Sequence, residues 1–439
     1  MKIIRIVQSL LVWLIIFNAV LASSATPEEY KLEELITIAL TRNSSILEAS
    51  KELEHAELTR SQAIAVALPD IDLAATYTYH GKSTETQFLG QTFNLTPDET
   101  KDVEITVSQW LYSGAVNAAI SGTKHLTQVS VENLADVRNK IVTNVRIFFY
   151  DLLLAKEELE VYQESLQQLE SNLDDARKRS KAGVGTNYDV MRFQTKVASA
   201  YADLLKAKTR YQSAKLNLAK IVGLTPSEQF DIEGSLDYNM QKFNLEEQIE
   251  YAYKYRSDLN RSRESVLLQE SFVKQKKSDR FINIKLFGVY NYTDHDGGDA
   301  ATAGFEDSWY AGVRLTLPLF DGNERRAVVK QEIVKREIKL IQSEDLYRSV
   351  AIETEDAYNE LMVAQEYLKS QEENIDLAHE TFRIASKQYN ESITTQLEYL
   401  ETQLTLTKAR LELNVAKHAC LVATERLKLA TGKILPNDV

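Results

Sequence analysis

Two halves of this chain are written to one plan. Leu32-Glu33-Glu34 and Leu245-Glu246-Glu247 lie 213 residues apart, and the apolar pattern Ile36, Ala39, Leu40 recurs as Ile249, Ala252, Tyr253. Tyr77 and Tyr79 fall over Tyr290 and Tyr292 at the same offset. Leu111-Tyr112-Ser113-Gly114 falls over Leu319-Phe320-Asp321-Gly322 at an offset of 208, and Val184, Thr186, Asp189 and Gly223 fall over Ile393, Thr395, Glu398 and Gly432 at 209. Each half, residues 26–235 and 236–439, reads as short helix, helix, strand, loop, strand, very long helix, break, long helix. An internal duplication of this kind points to a quasi-symmetric assembly rather than to one catalytic pocket.

Residues 1–25 combine Lys2 and Arg5, an apolar run from Ile6 to Ala22 and the small-residue end Ser23-Ser24-Ala25, the pattern of a secretory signal peptide. No other stretch approaches the roughly 20 apolar residues of a transmembrane helix. The chain carries 51 basic and 64 acidic side chains, a net charge of −13, which becomes −15 without Lys2 and Arg5. Nucleic acid is therefore not an expected partner. The single cysteine, Cys420, lies far from the cleavage site, so neither a disulfide nor an N-terminal lipid is expected. Membrane attachment is left to strands.

All 15 glycines and 6 prolines lie outside two spans, Thr123 to Ala182 and Asn323 to Thr431, which are rich in Glu, Lys, Gln, Leu and Ala. These spans predict helices over about 115–181 and 323–389, each followed after a break by another, over 187–222 and 395–431. The first would be about 100 Å long at the α-helical rise. In the last helix Leu406, Ala409, Leu413, Ala416, Cys420, Ala423, Leu427 and Ala430 alternate spacings of three and four, and Val197, Ala200, Leu204, Ala207, Tyr211, Ala214, Leu218 and Ile221 do so in the first half. A seven-residue period specifies a left-handed coiled coil with antiparallel neighbours. An opposite apolar face, Leu397, Leu400, Leu404, Leu411, Val415, Val422 and Leu429, predicts neighbours on two sides; its counterpart in the first half holds Lys206, Ser213 and Lys220. Taken alone, such stripes also fit an ordinary long helical bundle.

The strands distinguish the two. After the helix-ending Pro69, Ile71, Leu73, Ala75, Tyr77 and Tyr79 alternate with Asp72, Ala74, Thr76 and Thr78, predicting a strand over about 70–80. Val103, Ile105 and Val107 against Glu104, Thr106 and Ser108 give a partner over about 101–111. Ile284, Leu286, Gly288, Tyr290 and Tyr292 give one over about 282–292, and Trp309, Ala311, Val313, Leu315 and Leu317 one over about 308–319. Lys285, Asn291, Arg314 and Thr316 occupy the opposite faces of the second pair. Strands of this length with aromatic ends match a transmembrane β-barrel wall, with Tyr77, Tyr79, Tyr290, Tyr292 and Trp309 as its aromatic belt. Two hairpins cannot close a barrel, and an open edge is not tolerated in hydrocarbon, so several chains must share one. A soluble sheet packed on helices predicts the same alternation. The polar loops, Gly81 to Glu99 and Thr293 to Asp307, would face outside. Asp294-His295-Asp296-Gly297-Gly298-Asp299 lacks the glycine placement and final glutamate of an EF-hand and reads as a solvated turn.

From Leu32 to Gly432 the chain resembles the outer membrane efflux protein family, the TolC-like channel-tunnels. The resemblance is carried by the duplicated Leu-Glu-Glu opening with Ala39 and Asn43, by the turns Tyr112-Ser113-Gly114 and Pro318-Leu319-Phe320-Asp321-Gly322, and by Gly183-Val184-Gly185-Thr186 with Asp189-Val190. It implies a mainly α homotrimer: four strands per chain complete a twelve-stranded outer-membrane barrel, and coiled-coil hairpins form a periplasmic tunnel closing at its tips. It further implies that Tyr389, Glu398 and Glu401 line the periplasmic entrance, where two stacked carboxylate rings favour cations. Each like-charge pair would cost about 0.6 kcal/mol at roughly 7 Å in water. Asp189 matches a residue that pairs with an arginine in the family's closed gate, but that arginine position is Thr394 here and the usual glycine is Ser392. The family's closing salt bridge is thereby absent, which predicts other bonds at the tip or a more open rest state. The grooves around Gly183, Val184, Ser392 and Ile393 should receive a periplasmic adaptor, which links the duct to an inner-membrane pump or ABC transporter.

Nothing in the sequence predicts an enzyme or a cofactor. The histidines at 55, 80, 125, 295, 379 and 418 are scattered without metal-ligand spacing, and there is no nucleophile elbow or phosphate loop. The alternative expectation is a soluble periplasmic coiled-coil scaffold or adaptor without a pore. Drugs, metal ions and secreted proteins remain equal as cargo.

Overall fold

The computed structural model describes residues 28–81, 85–94, 96–225, 230–296, 304–391 and 393–433. The expected signal peptide, Ser392 and Gly297 to Asp299 lie outside the described residues. In chain order the elements are β1 (Glu28–Tyr30), α1 (Leu32–Arg42), α2 (Ser44–Ala65), β2 (Asp70–Tyr79), β3 (Glu85–Phe88), β4 (Gln91–Asn94), β5 (Glu99–Tyr112), α3 (Gly114–Lys181) and α4 (Asn187–Val222). There follow β6 (Phe230–Ile232), α5 (Leu245–Tyr255), α6 (Ser257–Ser278), β7 (Asn283–Asp296), β8 (Gly304–Thr316), α7 (Glu324–Asn390) and α8 (Gln396–Thr431). The described residues are mostly helical.

It divides into two compact units. One comprises Met1–Glu48, Asp136–Arg256 and Ser349–Val439, the other Ala49–Ala135 and Ser257–Arg348.

The first unit is built on helix seams. Ala357, Leu361, Ala364 and Leu368 of α7 pack against Ala416, Cys420, Ala423 and Leu427 of α8, all buried, with Leu413 and Ala430 partly buried beside them. Small residues alternate with large ones, which lets the backbones approach while leucines fill the gaps. On the other face of α8, Leu400 and Val422 are buried while Leu397 and Leu404 are 47% exposed. The unit also contains β1, paired in parallel with β6, and α5, whose start is capped by Asn244 Oδ1 accepting from the Glu246 N–H at 2.9 Å. Gly432 ends α8 at φ 73°, where a Cβ would meet the Tyr255 and Arg256 backbone at 3.1 Å. A left-handed cap against a neighbouring backbone leaves glycine as the one fitting residue.

The second unit holds a four-stranded antiparallel sheet in the order β2-β5-β7-β8, so β2 and β8 are its edges. Its register places Leu73, Ile105, Tyr290 and Trp309 in one row and Ile71, Val107, Gly288 and Ala311 in the next. Paired residues of an antiparallel sheet share a face, so this face is apolar from edge to edge, and on it Leu73 and Trp309 are 71% and 75% exposed. The opposite face carries Asp70, Asp72, Asp102, Glu104, Asn291, Arg314 and Lys285, the last with its Nζ 5.3 Å from the Trp110 ring centroid.

The second hairpin runs further than its alternation suggests. Pairing continues to His295 and Gly304, so Thr293–Asp296 and residues 304–307, expected in a loop, are strand, and Tyr290 and Tyr292 sit inside β7 rather than at its end. Asp294 lies on the same face as Phe305 and pairs with Lys101 at 3.5 Å, which offsets the cost of a charge in this position. β8 stops at Thr316, two residues before Pro318, which cannot donate to a ladder. In the first connection β3 and β4 form a small hairpin of their own.

Candidate functional site at the helical tips

Each long helix of the first unit turns back through a bonded cap. At the end of α3 the Gly183 N–H donates to Ser180 O at 3.1 Å and the Val184 N–H to Arg179 O at 3.0 Å, with Gly183 at φ 78°. This is the Schellman arrangement, and it requires a residue free to adopt the left-handed conformation. Thr186 then starts α4: its Oγ1 accepts from the Asp189 N–H at 3.1 Å, and the Asp189 carboxylate accepts from the Thr186 hydroxyl at 2.6 Å and from its N–H at 3.3 Å. At the end of α7 the Ile393 N–H donates to Gln388 O at 2.8 Å. Thr395 Oγ1 accepts from the Glu398 N–H at 3.3 Å, while the Thr394 hydroxyl donates to the Glu398 carboxylate.

Sequence patterns anticipated ionic groups at the tip; the structure binds two of those groups locally. Asp189 closes the capping box of its own helix, and Glu398 is held by Thr394, the residue at the expected arginine position. Glu401 is exposed. The exposed apolar tips are Val184, at 78%, and Ile393, at 69%.

Behind the tips lies an aromatic cluster. Tyr389 is half-buried and stacks on Tyr399 with ring centroids 4.8 Å apart and an interplanar angle of 15°, and the Arg179 guanidinium lies 5.6 Å above the Tyr389 ring. The Tyr399 hydroxyl accepts from Asn172 at 3.1 Å. Leu169, Leu173, Ala176, Val190, Phe193 and Leu400 complete the packing. Burial pushes the Tyr389 hydroxyl above its ordinary value, with Arg179 pulling the other way; burial likewise raises Tyr399, opposed by its amide partners. Both phenols are therefore neutral hydrogen-bonding groups at physiological pH.

Sequence reasoning missed three residues here. Tyr399 falls seven residues before Leu406, so extending the α8 seam by one heptad would have found it. Arg179, in the last turn of α3, gave no signal of its role. Gln396, 7% exposed, donates from Nε2 to Asp189 O at 3.0 Å and so joins the starts of α8 and α4; a glutamine at a helix start carries no mark of such a bond. In the other unit, Tyr77, Tyr79, Tyr290, Tyr292 and Trp309 all share the apolar sheet face and are exposed there.

Among the described residues no group of His, Cys, Asp and Glu could hold a metal ion, and no helix is long and apolar enough to cross a membrane.

This arrangement of paired helical hairpins and a four-stranded sheet is shared with solved structures. VceC from Vibrio cholerae, an outer membrane protein, superposes with a TM-score of 0.76 over 91% of this chain and 96% of its own, at 19% identity. Among sequence relatives, nodulation protein T of Rhizobium leguminosarum bv. trifolii is 19% identical over 84% of this chain and 78% of its own length. The alkaline protease secretion protein AprF of Pseudomonas aeruginosa is 22% identical over 71% and 65%, respectively. The profile described as outer membrane efflux protein matches residues 35–224 and 250–433, a span that takes in both tip turns, the sheet and the seams, and the chain accordingly belongs to the outer membrane efflux protein family.

Proposed function

We propose that this chain is the exit duct of a tripartite efflux pump or type I secretion system: a passive homotrimeric channel in the outer membrane of a Gram-negative bacterium. Its family is one of efflux ducts and not of enzymes. The observation that carries the reading is the sheet of the second unit, whose apolar face is exposed across all four strands and whose edges, β2 and β8, have no strand partner among the described residues. Lipid covers such a face, but only a closed barrel satisfies such edges in hydrocarbon. Three copies pairing β2 to β8 give twelve strands and remove every edge. The repeated order of elements in residues 26–235 and 236–439 reflects an internal duplication, and residues 1–25 direct export.

In this reading Glu398 and Glu401, three residues apart on one face of α8, form two carboxylate rings at the periplasmic entrance, with Tyr389, Asp189 and Thr394 shaping the closed tip. The exposed apolar side chains Val184 and Ile393, in the sequence segments of Gly183 and Ser392, receive the hairpin of a periplasmic adaptor, which connects the duct to an inner-membrane pump or ABC transporter. The name of AprF attaches to secretion of a protease; for this chain the choice of cargo belongs to the inner-membrane partner.

The test is single-channel conductance of the purified trimer in a planar bilayer, beside the Glu398→Gln/Glu401→Gln variant. A cation-selective conductance that loses selectivity in the variant is expected. Absence of any conductance, or recovery of the mature protein from the soluble periplasm without detergent, would overturn the reading.

A further inference from the structure

We infer that Gln396 is an uncharged latch that ties the tips of the two helical hairpins together and sets how far they part. The inference rests on the exit-duct reading for its consequence, since parting the tips is what admits cargo. Its physical basis is independent of that reading. Gln396 is the first residue of α8 and is 7% exposed, and its Nε2 donates to the backbone carbonyl of Asp189, in the first turn of α4, at 3.0 Å.

The carboxamide has only one workable orientation. Turned over, it would set its own oxygen against the Asp189 carbonyl, two acceptors facing each other. In the orientation found, the Gln396 Oε1 is buried with no donor among the described residues. The latch bond is thus made while an acceptor is left unsatisfied, which leaves the junction easier to part than a fully satisfied one.

The charged groups around it are engaged elsewhere. The Asp189 carboxylate is held by Thr186, the Glu398 carboxylate by Thr394, and Arg179 lies over Tyr389. In the first turns of α4 Arg192 lies over the Tyr188 ring, and in the aromatic cluster behind the tips the phenols of Tyr389 and Tyr399 hold their protons more tightly than usual. A bond from amide to carbonyl neither titrates in the physiological range nor is screened by salt as a surface ion pair is. The chain has a neutral contact at a junction where ionic groups lie close at hand.

Two substitutions test this in the full-length trimer. Gln396→Ala removes the donor. Gln396→Glu keeps the shape but, as a carboxylate, offers the carbonyl no proton; once protonated at mildly acidic pH it regains a donor. Conductance is read as the ratio of variant to wild type at each pH, which cancels titration of the entrance carboxylates, and backbone hydrogen exchange is followed over the peptides spanning 186–193 and 393–400. Expected are a ratio of at least about twofold for Gln396→Ala at both pH values, a similar ratio for Gln396→Glu at neutral pH that falls toward one on acidification, and faster exchange confined to those peptides. Ratios of one with unchanged exchange would overturn the latch while leaving the duct intact. Quickened exchange in a trimer that never conducts would uphold the latch and overturn the duct.

Discussion

Cys420 is fully enclosed in the seam between α7 and α8, touching neither solvent nor another sulfur. Burial, with a smaller contribution from the Glu372 carboxylate, pushes its thiol up to about 11. The thiolate is the reactive form, so a small aromatic disulfide reagent should leave the native protein unlabelled at mildly alkaline pH and label it fully in denaturant; rapid labelling of the native protein would contradict the packing described. The sign of the linkage follows. A thiol held protonated contributes stability that is fully present below the ordinary cysteine range and is lost as the pH rises through 11. The place of Cys420 was legible from its seven-residue spacing, because apolar periodicity reports directly on burial. Gln396 was not, because a single bond between residues 207 apart leaves no periodic trace.

At the scale of elements, the seams carry the energetics of the helical unit. Leu361 is fully buried opposite the small residues of α8. Leu361→Ala should cost about 2–5 kcal/mol through lost burial and an unfilled cavity. Ala423→Leu should cost about 1–3 kcal/mol through overpacking, since Ala423 is 1% exposed within the buried cluster. Thermal unfolding followed by helical circular dichroism checks both, with the exposed Val363→Ala as the control expected to change little. The long helices were legible from the absence of glycine and proline; the capping roles of Thr186 and Thr395 were not read, and the sequence expectation put Thr395 inside the last helix rather than before it. The strand ends were less so: Asp294 and His295 read as loop by composition, yet the ladder continues through them because the Lys101 ion pair and backbone pairing outweigh local propensity. The second apolar face of α8 is divided, with Leu400 buried and Leu397 exposed, as suits a helix that one chain covers only in part.

For the whole molecule, the decisive asymmetry is between the two faces of the four-stranded sheet, which the proposed barrel would turn to lipid on one side and to water on the other. Ile105 and Thr106 are adjacent on β5 and point to opposite faces: Ile105 stands in the row of Leu73, Tyr290 and Trp309, while Thr106 is paired with Asp72 and Val289 on the polar face. In the proposed barrel Ile105→Arg would place a charge on the lipid side, where the penalty near the bilayer midplane is about 2–4 kcal/mol. Thr106→Arg would instead meet the Glu104 carboxylate, to which the Thr106 hydroxyl now donates at 3.1 Å, on the side the proposed barrel fills with water. Substitution at neighbouring positions should therefore divide cleanly, with Ile105→Arg depleting heat-resistant trimer from the outer-membrane fraction and Thr106→Arg leaving it near the wild-type level. Equal tolerance of both would mean that the apolar face is covered by protein rather than lipid, and the two free edges would then have to be closed by something other than further copies of this chain.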